Sequence, residues 1–182
     1  MSTLREYLVQ KRDALLARRE AAKANGSGAN ILRAKTTAEG RSGVRRIRIR
    51  EFQVISDSGP DFAGYNLGPS SPELQLGVLS SCLTHIFLIK AAEHQVPLDS
   101  LEVEVTAQQH PRAGQPGFED VPIYPHNINY TVHISSPASA EVIAALHQEV
   151  ERTCPILNLL ANPQQISGKI KLNALNEAAV AG

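Results

Sequence analysis

Tryptophan is absent from this chain, and only four phenylalanines and four tyrosines stand among its 182 residues. So few aromatics leave no platforms on which bases could stack, which argues against single-stranded nucleic acid as a ligand. No uninterrupted apolar run reaches the roughly 18 residues of a membrane span, so no membrane crossing is expected. Met1 to Tyr7 show neither an apolar stretch nor a small-residue cleavage site, so no signal peptide is expected. Cysteine is also scarce, with two, Cys82 and Cys154. Two cysteines are too sparse a framework for a secreted scaffold, and a chain this long can bury its own core. These absences lead to an expectation of a cytoplasmic protein with reduced thiols.

The charge is balanced overall and uneven locally. Residues 1–50 hold 13 of the 18 Lys and Arg with four acids, and residues 51–182 hold five with 14 acids. The basic residues are spread through regular elements rather than bunched in a tail. The basic part is therefore expected to pack against the acidic remainder or a second subunit, and not to serve as a nucleic-acid arm.

Residues 2–24 read as a charged helix with an incomplete stripe of Leu4, Tyr7, Leu8, Leu15 and Leu16. Asn25 to Gly28 is a break. The expected organisation is a helical extension and linker over 1–29, a main domain over 30–175 and a flexible tail over 176–182. Ile31 to Thr37 is a candidate strand. Val44 to Arg50 alternates, with Arg46, Arg48 and Arg50 on one face and Ile47 and Ile49 on the other. Phe52 to Ile55 either extends that strand or forms another. Ser71-Pro72-Glu73 reads as a helix start, with Ser71 as the cap. That helix should run to about Gln95, before Pro97, and its apolar positions wrap nearly all round. Leu101 to Ala107 and Asn127 to Ser135 alternate as strands. A proline-rich loop joins them, and Val121 to Pro125 within it is a candidate wall for an apolar pocket. A helix opening at Ser136-Pro137, a short helix after Cys154 and a last strand over Ile166 to Leu172 complete the order. This is an α+β chain, with antiparallel sheet and helices segregated to one face. One small sheet covers the central helix poorly, so a homodimer is expected.

The two thiols are the candidate chemistry. Cys82 lies within the apolar helix. Cys154 stands before Pro155, which suits the first helical position, so Cys154 reads as a helix cap where backbone amides favour a thiolate. The pair suggests redox chemistry; the alternative is two small hydrophobic residues.

Gly40-Arg41-Ser42-Gly43, Asp57 to Pro60, Gly68 to Leu74, Leu79 to Leu83, Leu98 to Val105 and Cys154-Pro155-Ile156 follow one another in an order that resembles the OsmC/Ohr family. These are the osmotically inducible and organic-hydroperoxide-resistance proteins. The resemblance spans roughly residues 30–172 and leaves the N-terminal helix outside. It implies two intertwined subunits with central helices back to back and sheets exchanged. It also implies a thiol peroxidase that reduces organic hydroperoxides with electrons from a dithiol reductant. Arg41 then matches the arginine of the Gly-Arg-x-Gly turn, Cys82 the peroxidatic cysteine and Cys154 the resolving one. Glu73 is the candidate carboxylate. It precedes Cys82 by nine residues, whereas the organic-hydroperoxide branch has its glutamate at ten, where this chain has Pro72. Glu73 is equally readable as an acid favouring the helix N-terminus. A second reading within the same family is a protein without peroxide turnover that binds a small apolar ligand at the dimer interface.

No cofactor or metal is expected. Cys82 and His85 lie three apart, but no spacing among His94, His110, His126 and His133 supports two further ligands. His85 is expected to be buried and hydrogen-bonded, or to modulate Cys82. The Arg46/Arg48/Arg50 row is expected to be a solvated or cross-strand-paired face, with Glu102 and Glu104 as candidate partners, rather than a phosphate contact.

Overall fold

The computed structural model describes residues 3–25 and 28–172 of the chain. Helix α1 spans Leu4–Asn25. A three-stranded antiparallel sheet follows, with β1 Lys35–Ala38, β2 Arg45–Ile49 and β3 Phe52–Ser56 in that order. β1 starts later than the candidate strand from Ile31, because the ladder reaches back only to Lys35 opposite Arg48. β2 and β3 are separate strands joined by a tight turn in which Arg50 takes a φ of +55°. Arg46 bonds Glu39 at 2.8 Å and Gln53 at 2.7 Å. The candidate pairing of the arginine row with Glu102 and Glu104 does not form, since those glutamates belong to the other sheet.

The loop from Asp57 to Ser70 leads into helix α2, Ser71–His94. Asp57 is fully buried and holds this loop by accepting from the Tyr65 and Leu67 amides. The α2 cap is Ser70, one residue earlier than Pro72 suggests. Its side chain bonds the Glu73 amide while Glu73 bonds the Ser70 amide. α2 ends at Gln95, which takes a left-handed φ of +57° before Val96-Pro97.

β4, Ser100–Gln108, and β5, His126–Ser135, form a second antiparallel sheet. Helix α3, Ala140–Thr153, starts after the cap Ser139, later than Ser136 suggests. Ser136 is used in the corner before it, donating to the Pro97 carbonyl and accepting from the Ala138 amide. Helix α4 is Pro155–Ala161. Residues 166–172 form no strand, and Ile166, Ile170 and Leu172 are each more than 90% exposed. An alternating segment becomes a strand only where a neighbour accepts its hydrogen bonds, and the described residues offer it none. The tail expected over 176–182 lies outside the described residues.

The core is one cluster. Leu79, Leu83, Phe87 and Ala91 recur every four residues along one face of α2 and meet Leu98, Leu146, Val150 and Cys154. By length and composition α2 could cross a membrane. Here it is the central packing element, contacted by α1, β4, α3 and α4. α1 buries Leu8 on it and is pinned by Arg5–Asp99 at 2.6 Å and Arg19–Glu93 at 2.7 Å. The basic helix thus does pack against the acidic remainder of its own chain.

Candidate active site

The site begins at the corner between α3 and α4. Pro155 cannot donate to α3 and pushes Cys154 into extended backbone, with φ −70° and ψ 114°. Cys154 therefore ends one helix and begins the next. Its amide bonds the Val150 carbonyl at 2.8 Å, and its own carbonyl accepts from the Asn158 amide at 3.0 Å. The Asn158 side chain also bonds the carbonyls of Glu151 and Cys154 and staples the corner. The fixed corner aims the Cys154 thiol inward, where it is fully buried.

Cys82 meets it from α2. The Cys154 Sγ donates to the Cys82 Sγ at 3.5 Å, and both cysteines are free thiols. A disulfide needs about 2.05 Å, so closing the gap requires a shift of about 1.5 Å between the sulfurs. Burial pushes the Cys82 thiol above its usual pKa, the hydrogen bond with Cys154 adds to this, and the Ile156 backbone amide opposes it. The free amide at the start of α4 therefore serves Cys82. The expectation that helix capping favours a Cys154 thiolate is corrected here, because the Cys154 side chain makes no capping bond.

Cys82 opens onto a shallow cavity of about 530 Å³ lined by Leu74, Gly77, Val78, Ser81, His85 and Ile156. The lining is mostly apolar, and among the described residues no carboxylate belongs to it. His85 is exposed rather than buried, with no hydrogen-bond partner among the described residues. Partial desolvation lowers its pKa, and the Lys11 and Arg18 cations of α1 lower it further. None of Val121 to Pro125 lines this cavity, and Ile123 and Tyr124 point to solvent. Among the described residues no three His, Cys, Asp or Glu side chains converge as a metal-ligand set.

The other two candidates lie elsewhere in the chain. Arg41 sits exposed in the turn between β1 and β2 and has no hydrogen-bond partner among the described residues. Glu73 is held in the α2 cap, where its Oε2 accepts from the Ser70 amide at 2.7 Å and the Ser70 hydroxyl at 2.6 Å. These bonds hold its carboxyl below the usual range.

A polar trio beside the thiols escaped sequence reasoning. Tyr130 on β5 donates to Glu151 Oε1 at 2.6 Å, and its oxygen lies 2.7 Å from His147 Nε2. The signal was present in the inward alternation of Tyr130 and the four-residue spacing of His147 and Glu151 on one helix face.

The chain belongs to the OsmC-like protein family, whose model matches residues 64–169. Solved structures share the fold. An OsmC-like protein from Mycoplasma pneumoniae superposes with a TM-score of 0.64 at 19% identity, covering 74% of this chain and 89% of that one. An organic hydroperoxide resistance protein OsmC from Legionella pneumophila gives 0.53 at 13% identity, covering 74% and 91%. An OsmC-like protein of unknown function from Vibrio cholerae gives 0.56 at 14% identity, covering 72% and 94%. No curated protein matches the sequence.

Proposed function

We propose that this protein is a thiol peroxidase acting on organic hydroperoxides. The observation that carries the reading is the 3.5 Å approach of Cys82 to Cys154 at the floor of an apolar cavity. The Cys82 thiolate attacks the peroxide and breaks the O–O bond. An alcohol leaves and Cys82 becomes a sulfenic acid. The Cys154 sulfur then displaces the sulfenic oxygen as water and forms the disulfide. An external dithiol gives two electrons and two protons to restore both thiols. The half-buried Cys82 suits the attacking role because peroxide reaches it; the buried Cys154 suits the resolving role.

A thiolate at neutral pH needs a cation close by, and among the described residues of its own subunit none bonds Cys82. We assign that cation to the partner's Arg41, brought over Cys82 in an intertwined dimer. A guanidinium hydrogen-bonds thiolate and peroxide together. Glu73 could hold that guanidinium only by leaving its cap. The division into a helical extension over 1–29 and a functional domain over 30–175 belongs to the same reading.

The experiment is peroxide consumption by purified protein with a dithiol and cumene hydroperoxide. Wild type should turn over and Cys82→Ser should not. Stoichiometric peroxide should give a Cys82–Cys154 disulfide by peptide mapping; two reduced thiols after peroxide would sink the reading. The second reading, an apolar-ligand protein without turnover, is favoured by the raised Cys82 pKa. It predicts slow alkylation of Cys82 near pH 7 and no peroxide loss.

A further inference from the structure

Helix α1 lies before the stretch that the family model covers, which begins at residue 64. Where it crosses the end of α2 the two do not close completely. They leave a cavity of about 280 Å³ walled by Leu8 and Val9 of α1, Ala91 and Ala92 of α2, and Val96 and Pro97 beyond it. Ala91 and Ala92 present only methyl groups here, which leaves the space unfilled. Small-molecule sites usually span about 300–1,000 Å³, so this one suits a short molecule. Arg5 and Arg12, seven residues apart on α1, line it on the same side. They differ in their partners. Arg5 gives Nε and Nη2 to the Asp99 carboxylate, so its charge is balanced. Arg12 is half-buried and has neither a hydrogen bond nor an ion pair among the described residues. Its neighbours three and four residues away on α1 are Leu8, Val9, Leu15 and Leu16, so no acid faces it from its own helix. Glu93 in the last turn of α2 is taken by Arg19 and Lys90. The Ala91 and Ala92 carbonyls already accept from the Val96 and Gln95 amides, at 2.9 and 3.3 Å. Among the described residues no carboxylate lines the cavity, and Gln95 adds only a neutral amide.

We propose that the cavity between α1 and the end of α2 is a binding site for a small monoanionic amphiphile, a medium-chain carboxylate. The apolar wall takes the hydrocarbon, and the Arg12 guanidinium takes the carboxylate through a pair of charged hydrogen bonds. A single unbalanced charge fits a monoanion better than a phosphate dianion. None of the residues that line this cavity lines the one at Cys82, so the site stands apart from the thiols and does not depend on their chemistry.

The test is titration calorimetry of the full-length protein with octanoate. Octanamide, which has the same length and no charge, should bind about tenfold more weakly or worse. Each methylene removed from octanoate should weaken binding about fourfold. Arg12→Gln should weaken octanoate about tenfold or more. A second pair of variants separates the site from the fold. Val9 lines the cavity at an exposed position three residues from Arg12. Val9→Glu sets a carboxylate against the guanidinium and should weaken octanoate as Arg12→Gln does, whereas Val9→Gln should bind as wild type. Saturating octanoate should leave the iodoacetamide rate at Cys82 unchanged. No binding by wild type at about 10 mM octanoate overturns the proposal, and so does equal binding of octanoate and octanamide. Octanoate that still binds Arg12→Gln with wild-type affinity and protects Cys82 from alkylation sits in the thiol cavity, and that result overturns the site between α1 and α2.

Discussion

The body around Cys82 and the sheet β1–β3 use the same apolar residue types and end in opposite states. In the body Leu79, Leu83, Phe87, Leu98 and Val150 have at most 1% exposure. In the sheet Ile49, Phe52 and Val54 remain 43%, 55% and 38% exposed. Register explains the patch: Ile47 pairs with Val54 and Ile49 with Phe52, so all four crowd onto one face. The body is a core completed within its chain. The sheet is an apolar face that the described residues leave open, and such a face marks an interaction site. The open side of α2 at Gly77, Val78 and Ser81 adjoins Cys82, so the thiol site and the uncovered surfaces raise the same question. On the dimer reading, one partner answers both by covering the sheet and bringing an Arg41 turn to Cys82.

The largest effects separate the two regions directly. Leu83→Ala removes a fully buried side chain from the middle of α2 and should cost about 2–5 kcal/mol in urea unfolding. That cost arises within one chain. Phe52→Asp should leave the fold of the body intact and raise the dimer dissociation constant about a hundredfold, by placing a charge where an apolar face is covered. Sedimentation equilibrium reads this. A wild type that stays a folded monomer at micromolar concentration removes the dimer and leaves the sheet exposed for some other partner.

A somewhat smaller effect concerns chemistry across the proposed boundary. Within one chain, burial holds the Cys82 thiol above its usual pKa. In the dimer the partner's Arg41 should bring it down. Arg41→Ala should therefore slow iodoacetamide alkylation of Cys82 about tenfold near pH 7, and Phe52→Asp should slow it likewise by releasing the partner. An alkylation rate indifferent to both changes would reduce Arg41 to a turn residue.

The sequence carried the body better than the sheet. Alternation placed β4 and β5 within a residue or two, because both faces of that pattern are settled inside the chain. The last strand over Ile166 to Leu172 was legible as a pattern and did not form, since pairing depends on a neighbour that sequence does not name. The thiols were legible as a pair because Pro155 fixes the Cys154 corner by local sterics alone. Of the two alternatives for His85 the buried one failed: an imidazole within an apolar helix suggests burial, yet it faces the open side of α2, beside Cys82. Tyr130 and the His147/Glu151 pair each show in the sequence pattern, but that their side chains meet is a long-range contact the spacing does not name.

The largest single contribution to an acid limb of stability should come from Glu149 in the helical body. Lys90 and Arg152 hold Glu149 down at about 2, against an ordinary value of 4.5. Because the folded value is the lower one, the stabilisation is present above the ordinary value and is lost as pH falls from about 4.5 to about 2. Glu149→Gln should flatten the fall of the urea midpoint across that window. An unchanged slope would mean that the bonds to Lys90 and Arg152 are offset by solvent.

The smallest effect decides what Glu73 is for. In this structure its carboxylate closes the α2 cap with Ser70. Ser70→Ala should cost about 1 kcal/mol of stability by freeing an α2 amide. Glu73→Gln keeps the length and much of the capping geometry and removes only the charge. If Glu73 is a cap alone, Glu73→Gln should lose a few tenths of a kcal/mol at most and keep its kcat/KM for cumene hydroperoxide. If the carboxylate leaves the cap to hold the partner's Arg41, the same variant should lose tenfold or more in kcat/KM with little change in stability, since a neutral amide cannot form the charged pair. Ser70→Ala then sharpens the comparison. It frees Glu73 from its hydroxyl partner, so it should destabilise the helix and leave peroxide turnover intact if catalysis draws on Glu73. A loss of turnover in Ser70→Ala that merely follows its loss of stability would return Glu73 to the cap.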